Sequence, residues 1–384
     1  MCVDLKASPV GAVDCTANGS QRCPSVPKPG SSGLAPENGY FYYLILPGGR
    51  DSRLPYNIGS HAAVSDLITR LPIDPQLKPL LAGAPPAPDM RSIPVPQLRE
   101  YVRSASTAFP PLPVPLAAIS NRVIAGPGGD LPLRIYTPVG SGPFPITVYF
   151  HGGGWVVGDL DTQDMIARGL SHGAHSVLVS VGYRLAPEHR FPAAVDDAWA
   201  ATVWAAAHAA EIGGDARRLA VAGDSAGGVL ASAVALRARD ANGPRLAAQV
   251  NFYGSCNYPS KVTASAREFA QGPILRCSDI DYFWSLYLAD PVRDQNHPWA
   301  SPIRADSLMG LPPAFVGTAE IDPSRDDTEA YAAALVAAGV PVRLRRYPGM
   351  VHGFLSFLGL IDGAQRALDE CTTWMKEQFA HTTT

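Results

Sequence analysis

Beyond about residue 118, apolar positions fall into short runs separated by longer stretches of helical character. The runs are Ile119–Ile124, Leu131–Thr137, Ile146–Phe150, Val177–Val181, Leu219–Ala222, Ala314–Val316 and Val342–Tyr347. Runs this short read as strands, because helices need ten or more residues. The first two flank Gly126-Pro127-Gly128-Gly129 and form a hairpin-like pair. Helix-like stretches separate most of the others, as Thr162–Leu170 does before Val177. Strands alternating with helices predict an α/β fold, with a mostly parallel central sheet covered by helices on both faces.

Upstream the texture changes. Just over half of the 37 prolines lie in the first 117 residues, so no tightly paired core sheet is expected there. Met1–Asn38 is rich in Gly, Pro and Ser and has no continuous apolar run, which predicts a peripheral leader and not a secretory signal. Phe41–Leu46 could be a strand or an anchoring apolar segment. Asp74 is a good N-cap with Pro75 at the first helical position of a helix reaching Leu81, although Pro79 counts against regularity. Pro96 opens a second helix to Ser106, and Ala84–Pro88 between the two cannot be helical. The expected organisation is a peripheral extension over 1–70, cap helices over 71–117 and one α/β domain over 118–384.

Composition removes several function classes. Of the 384 residues 46% are hydrophobic and 17% charged, enough for a sizeable core. A net charge of −3 offers no basic surface for nucleic acid or anionic membrane. No apolar run has the length of a membrane span. The six cysteines follow no metal-ligand spacing and read as free thiols in a reducing, cytoplasmic setting. Neither a metal nor a cofactor is expected: Gly152 and Gly154 would need a glycine at position 157 for a dinucleotide cradle, and Val157 stands there.

The chemistry starts at Gly223-Asp224-Ser225-Ala226-Gly227. It lies between the strand Leu219–Ala222 and an Ala/Leu/Val-rich helical run, the context of a nucleophile elbow. Gly169-Leu170-Ser171-His172-Gly173 matches the same pattern, but in the order helix, turn, strand. Ser171 is therefore read as part of a helix C-terminus capped by Gly173. A nucleophilic serine needs a base, and the base an orienting acid, in the chain order Ser, Asp/Glu, His. Downstream of Ser225 only His297, His352 and His381 remain. His352 follows the last apolar strand and is the expected base. His297 sits in a loop before the acid, and His381 in a polar tail. The acid should follow the strand Ala314–Thr318, and Asp322 before Pro323 fits best, ahead of Glu320 and Asp326. Asp326 and Asp327 are expected on the next helix. His151-Gly152-Gly153-Gly154-Trp155 follows the strand ending at Phe150. Its N–H groups at Gly153 and Gly154, with that of Ala226, are the candidate oxyanion donors. His151 reads as a structural residue of that loop, and Arg184 and Glu188 as an ion pair bracing another. Trp155, Tyr253, Tyr282, Phe283 and Trp284 are candidate pocket walls, with core packing the plain alternative.

Taken together, His151–Trp155, Gly158-Asp159, Tyr183–Glu188, Gly223–Gly228, Asp322-Pro323 and His352–Phe354 resemble the bacterial hormone-sensitive-lipase family of α/β-hydrolases. The resemblance runs from about Ile73 to the C-terminus. It implies an α/β-hydrolase fold and cofactor-free hydrolysis of a small-molecule carboxylic ester of short or medium chain, beneath a partly N-terminal helical cap. It makes 118–384 the catalytic domain and allows a homodimer. Amidase, carbamate hydrolase or lactonase activity would use the same residues, and a non-catalytic ligand receptor is the reading from another class. Two departures stand out: Ser324 where the family usually has Leu after Asp-Pro, and a first 70 residues beyond what the family needs.

Overall fold

In a computed structural model, residues 68–83, 89–107, 113–259 and 262–381 are described. The expectations for Met1–Asn38, Phe41–Leu46 and Ala84–Pro88 lie outside them. Eight strands form one sheet: β1 (Leu116–Gly126), β2 (Gly129–Pro138), β3 (Phe144–Phe150), β4 (Val177–Val181), β5 (Gly214–Asp224), β6 (Leu246–Phe252), β7 (Ala314–Ile321) and β8 (Val342–Val351). Their order is β1-β2-β4-β3-β5-β6-β7-β8. β1–β2 and β2–β4 are antiparallel, and every other neighbour pair is parallel. Gly126 pairs with Gly129 across the Pro127-Gly128 turn, closing the expected hairpin.

Helices α1 (Leu77–Gly83), α2 (Val95–Ser106), α3 (Asp164–Ala174), α4 (Ala193–Ala207), α5 (Ala226–Asp240), α6 (Cys277–Tyr287), α7 (Arg325–Ala337) and α8 (Asp362–His381) surround the sheet. Side chains alternate across each strand and so build two cores. Ile146, Val148, Phe150, Val179 and Val221 join one with α4, α5 and Tyr331 of α7. Tyr149, Leu178, Ala220 and Phe315 join the other with Ile166 and Leu170 of α3 and Ala367 to Phe379 of α8. Burial on both faces explains why β3, β4 and β6 are buried throughout.

β6 has no counterpart among the expected strands, because Gln249 and Asn251 interrupt its apolar pattern. Both are buried with partners: Gln249 Nε2 donates to Pro312 O (3.0 Å) and Asn251 Nδ2 to Gly254 O (3.0 Å). α1 begins two residues after Pro75. Asp74 still serves it: its carboxylate accepts from Gln76 N (2.8 Å) and its carbonyl from Leu77 N and Lys78 N. Pro79 falls in the first turn, where no intrahelical N–H is missed. The expected cap at Gly173 is incorrect. α3 continues through Gly173, which lies flat against Thr372, and ends on His175 at φ 51°.

Candidate active site

Four loops at the C-terminal ends of β3, β5, β7 and β8 meet over the sheet, where open α/β folds carry their sites. Between β5 and α5 the chain turns so tightly that Ser225 is held at φ 52°, ψ −121°. A side chain at Gly223 would collide with the Gly227 backbone, and one at Gly227 with Phe150 O, so both glycines are sterically required. Ser225 N donates to Phe252 O (2.8 Å), which ties the turn to β6.

The turn presents Ser225 Oγ 2.9 Å from His352 Nε2. His352 Nδ1 lies 2.7 Å from Asp322 Oδ2. Asp322 is fully buried, and its other oxygen accepts from Ser324 N (2.8 Å) and Ser324 Oγ (2.7 Å). The Tyr253 ring packs 5.0 Å from the His352 ring. Chain order and flanking elements point to these three side chains, and the fold brings them into one hydrogen-bonded line. Glu320, the alternative acid, is engaged elsewhere: its Oε2 accepts from Gly349 N (2.7 Å), just upstream of His352. Asp326 is held by Ser265 N and Arg325. His297 packs between Phe191 and Trp299. Ser171 Oγ donates to Ser176 O (2.8 Å) inside a buried helix end, so the second serine pattern is structural.

The glycine loop after β3 bends back through Gly153 (φ 119°), Gly154 (φ 59°) and Trp155 (φ 61°). Gly153 O accepts from Val156 N (3.1 Å) and Val157 N (2.9 Å). A side chain at Gly153 would strike Val157 O, and one at Gly154 the Phe283 ring. The N–H groups of Gly153, Gly154 and Ala226 donate to no acceptor among the described residues. Trp155 stacks on Tyr287 of α6 (4.1 Å, interplanar 7°) and pins the loop beneath that helix.

Two titratable groups brace this loop. Asp224 Oδ1 accepts from Tyr149 Oη (2.6 Å) and Gly152 N (2.9 Å). Burial pushes its carboxyl up to about 6, against the pull of those two donors. His151 stacks on Tyr183, and its Nδ1 meets Gly152 O at 2.8 Å. Burial lowers its imidazole to about 4, so it is neutral near pH 7. Asp224 was not singled out in the sequence, although it is part of the serine motif. A carboxylate between Gly223 and Ser225 gives no sign of which loop it will reach.

The expected Arg184–Glu188 pair does not form. Arg184 pairs with Asp197 on α4 (Nη2–Oδ1 2.8 Å), and Glu188 with Arg99 on α2 (Oε2–Nη2 2.6 Å). Both partners lie on other elements, Asp197 13 residues beyond Arg184 and Arg99 89 residues before Glu188, so proximity along the chain is a poor guide here. Arg99 also donates to Val156 O (2.8 Å) and Ala186 O (2.9 Å), and so fastens α2 to the glycine loop.

The loops enclose a cavity of about 250 Å³. Ser225, His352, Gly153 and Gly154 line it, under Val102 of α2 and Ile280, Phe283 and Trp284 of α6. Of the candidate wall residues, Trp155, Tyr253, Phe283 and Trp284 line it and Tyr282 does not. Among the described residues no cluster of three metal-ligating side chains occurs, and no helix is long and apolar enough to cross a membrane. Cys256, Cys277 and Cys371 form no disulfide among the described residues.

Residues 147–356 match the alpha/beta hydrolase fold family. The chain is 44% identical to Carboxylesterase NlhH of Mycobacterium tuberculosis over 310 residues, covering 78% of this chain and 94% of that protein. It is 43% identical to Esterase LipI of the same organism over 273 residues, covering 70% and 85%. The solved esterase of Pyrobaculum calidifontis superposes with a TM-score of 0.75 at 38% identity, over 80% of this chain and 99% of that one. With this architecture and these relatives, the chain belongs to the bacterial hormone-sensitive-lipase family of α/β-hydrolase carboxylesterases.

Proposed function

We propose that the protein hydrolyses small carboxylic esters through an acyl-enzyme on Ser225. The observation that carries this is the continuous chain Ser225 Oγ–His352 Nε2–Asp322 Oδ2, at 2.9 and 2.7 Å, opening into a cavity. Ser225 Oγ attacks the ester carbonyl as His352 Nε2 takes its proton. Asp322 keeps the Nδ1–H in place and stabilises the imidazolium that forms. The N–H groups of Gly153, Gly154 and Ala226 receive the oxyanion, and as fixed backbone donors they reorganise little. The tetrahedral intermediate collapses, the C–O bond to the alcohol breaks, and His352 returns its proton to the leaving oxygen. Water then attacks the acyl-enzyme with His352 again as base, releasing the carboxylic acid and restoring the Ser225 hydroxyl.

A cavity of about 250 Å³ lies at or below the lower end of small-ligand sites, which supports short to medium acyl chains. Helices α2 and α6 act as its cap in this reading. The test is a p-nitrophenyl ester series from acetate to palmitate, run on the wild type and on Ser225→Ala. Activity concentrated at short chains and abolished by the substitution is the expected result. A Ser225→Ala enzyme of near-normal rate would refute the acyl-enzyme, and a preference for palmitate the chain-length assignment.

A further inference from the structure

We infer that Ser324 is a positioning residue for the acid–histidine pair, its hydroxyl fixing the Asp322 carboxylate and sharing that carboxylate's charge with His352. The inference rests on the catalytic roles proposed above for Asp322 and His352. It starts from the residue two positions after the acid, which in this chain is Ser324. That serine brings a hydroxyl to a fully buried carboxylate. Asp322 Oδ1 takes two donors from one residue, Ser324 N–H at 2.8 Å and Ser324 O–H at 2.7 Å, while Oδ2 faces His352 Nδ1 at 2.7 Å.

The hydroxyl has no competing structural task. Ser324 is the N-cap residue of α7, yet its side chain accepts no capping hydrogen bond. The helix start is held by its backbone, since Ser324 O accepts from Thr328 N (3.1 Å) and Thr328 Oγ1 (3.0 Å). Ser324 also lines the Ser225 cavity, so the hydroxyl sits at the site and not in remote packing.

A donor to a carboxylate favours its charged form and withdraws negative charge from its other partner. Asp322 with this hydroxyl stabilises an imidazolium at His352 less than Asp322 without it. The hydroxyl therefore competes with His352 for the carboxylate's charge, and its loss should strengthen the Asp322–His352 attraction. It also removes a rotational freedom of the carboxylate that the single N–H leaves open. Other titratable groups lie around the pair. Asp224 approaches from β5 and is bonded to Tyr149 and Gly152, and the Tyr253 ring lies against His352. Glu320 on β7 is bonded to Gly349 N, and on α7 Arg325 pairs with Asp326, with Asp327 one residue on. Asp281 and Cys277 of α6 line a small cavity together with Ser324 and Asp327. None of these donates to Asp322 Oδ1 among the described residues.

The test compares Ser324→Ala and Ser324→Thr with the wild type. In Ser324→Ala the acid limb of the kcat/KM pH profile should move up by about half a pH unit, and plateau kcat should fall roughly three- to tenfold. The low-field proton resonance between His352 Nδ1 and Asp322 should move with it. That signal belongs to this pair and not to Asp224. Ser324→Thr keeps the hydroxyl and should restore all three. An acid limb that stays in place or moves down in Ser324→Ala, or a threonine variant that behaves like alanine, overturns the inference. An active Ser225→Ala enzyme would instead remove the catalytic reading beneath it, so the two failures are distinguishable.

Discussion

Single residues hold the site in conformations that most side chains avoid. Gly154 combines φ 59° with a Phe283 ring where a Cβ would stand. Gly154→Ala should therefore displace one oxyanion donor and lower kcat by roughly a hundredfold or more, with a smaller change in KM. Steady-state kinetics on a soluble ester check this, and an unchanged kcat would remove Gly154 from the oxyanion site. His151 and Asp224 make a linked pH prediction. The His151 imidazole sits at about 4 against an ordinary 6.5, so its stabilising contribution is present above 6.5 and lost as pH falls toward 4. The Asp224 carboxyl sits at about 6 against 3.8, so its contribution is present below 3.8 and lost as pH rises through 6. Each amounts to about 3 kcal/mol, and they oppose one another between pH 4 and 6. His151→Gln removes one side of that balance. Between pH 7 and 4.5 the variant should gain roughly 2 kcal/mol relative to the wild type's own change, read from urea unfolding at both pH values. Parallel pH dependence in the two proteins would count against a buried neutral imidazole. At this scale the grouping of Ser225, Asp322 and His352 was legible because chain order and flanking elements constrain it. The partners of Arg184, Glu188 and Asp224 were not, since each reaches a residue on another element.

Among the elements, α2 carries the clearest mechanical role. Arg99 donates to two main-chain carbonyls, Val156 O and Ala186 O, and Ala186 N in turn donates to Trp155 O (2.9 Å). Removing Arg99 leaves two part-buried acceptors unpaired at about 1–3 kcal/mol each. Glu188 is half exposed, and its ion pair adds about 1 kcal/mol or less. Arg99→Ala should thus lower thermal stability and cut kcat about tenfold by loosening the glycine loop, while Glu188→Gln changes little. Equal effects from the two would shift the weight from the carbonyl bonds to the ion pair. The elements themselves were legible wherever periodicity was clean. β6 was hidden by Gln249 and Asn251, polar residues that the interior satisfies locally, and the end of α3 by a glycine that serves packing against Thr372.

At the scale of the whole molecule, the parallel strands β3, β5, β7 and β8 each end in one part of the site, with β6 between β5 and β7 anchoring the serine turn. Two cores hold those strand ends in place, so the four loops converge. Alternating strands and helices made that architecture readable, because a doubly covered sheet needs apolar runs whatever the loops contain. The roof was harder to foresee: α6 lies between β6 and β7 in sequence, far from the N-terminal helices with which it shares the cavity. We propose that this convergence makes Ser225 a nucleophile. The most direct measurement is kcat/KM for p-nitrophenyl butyrate with Ser225→Ala against the wild type, alongside a matched unfolding curve. A loss of about ten-thousandfold or more with an unchanged fold is predicted. A folded variant within tenfold of the wild type would contradict it.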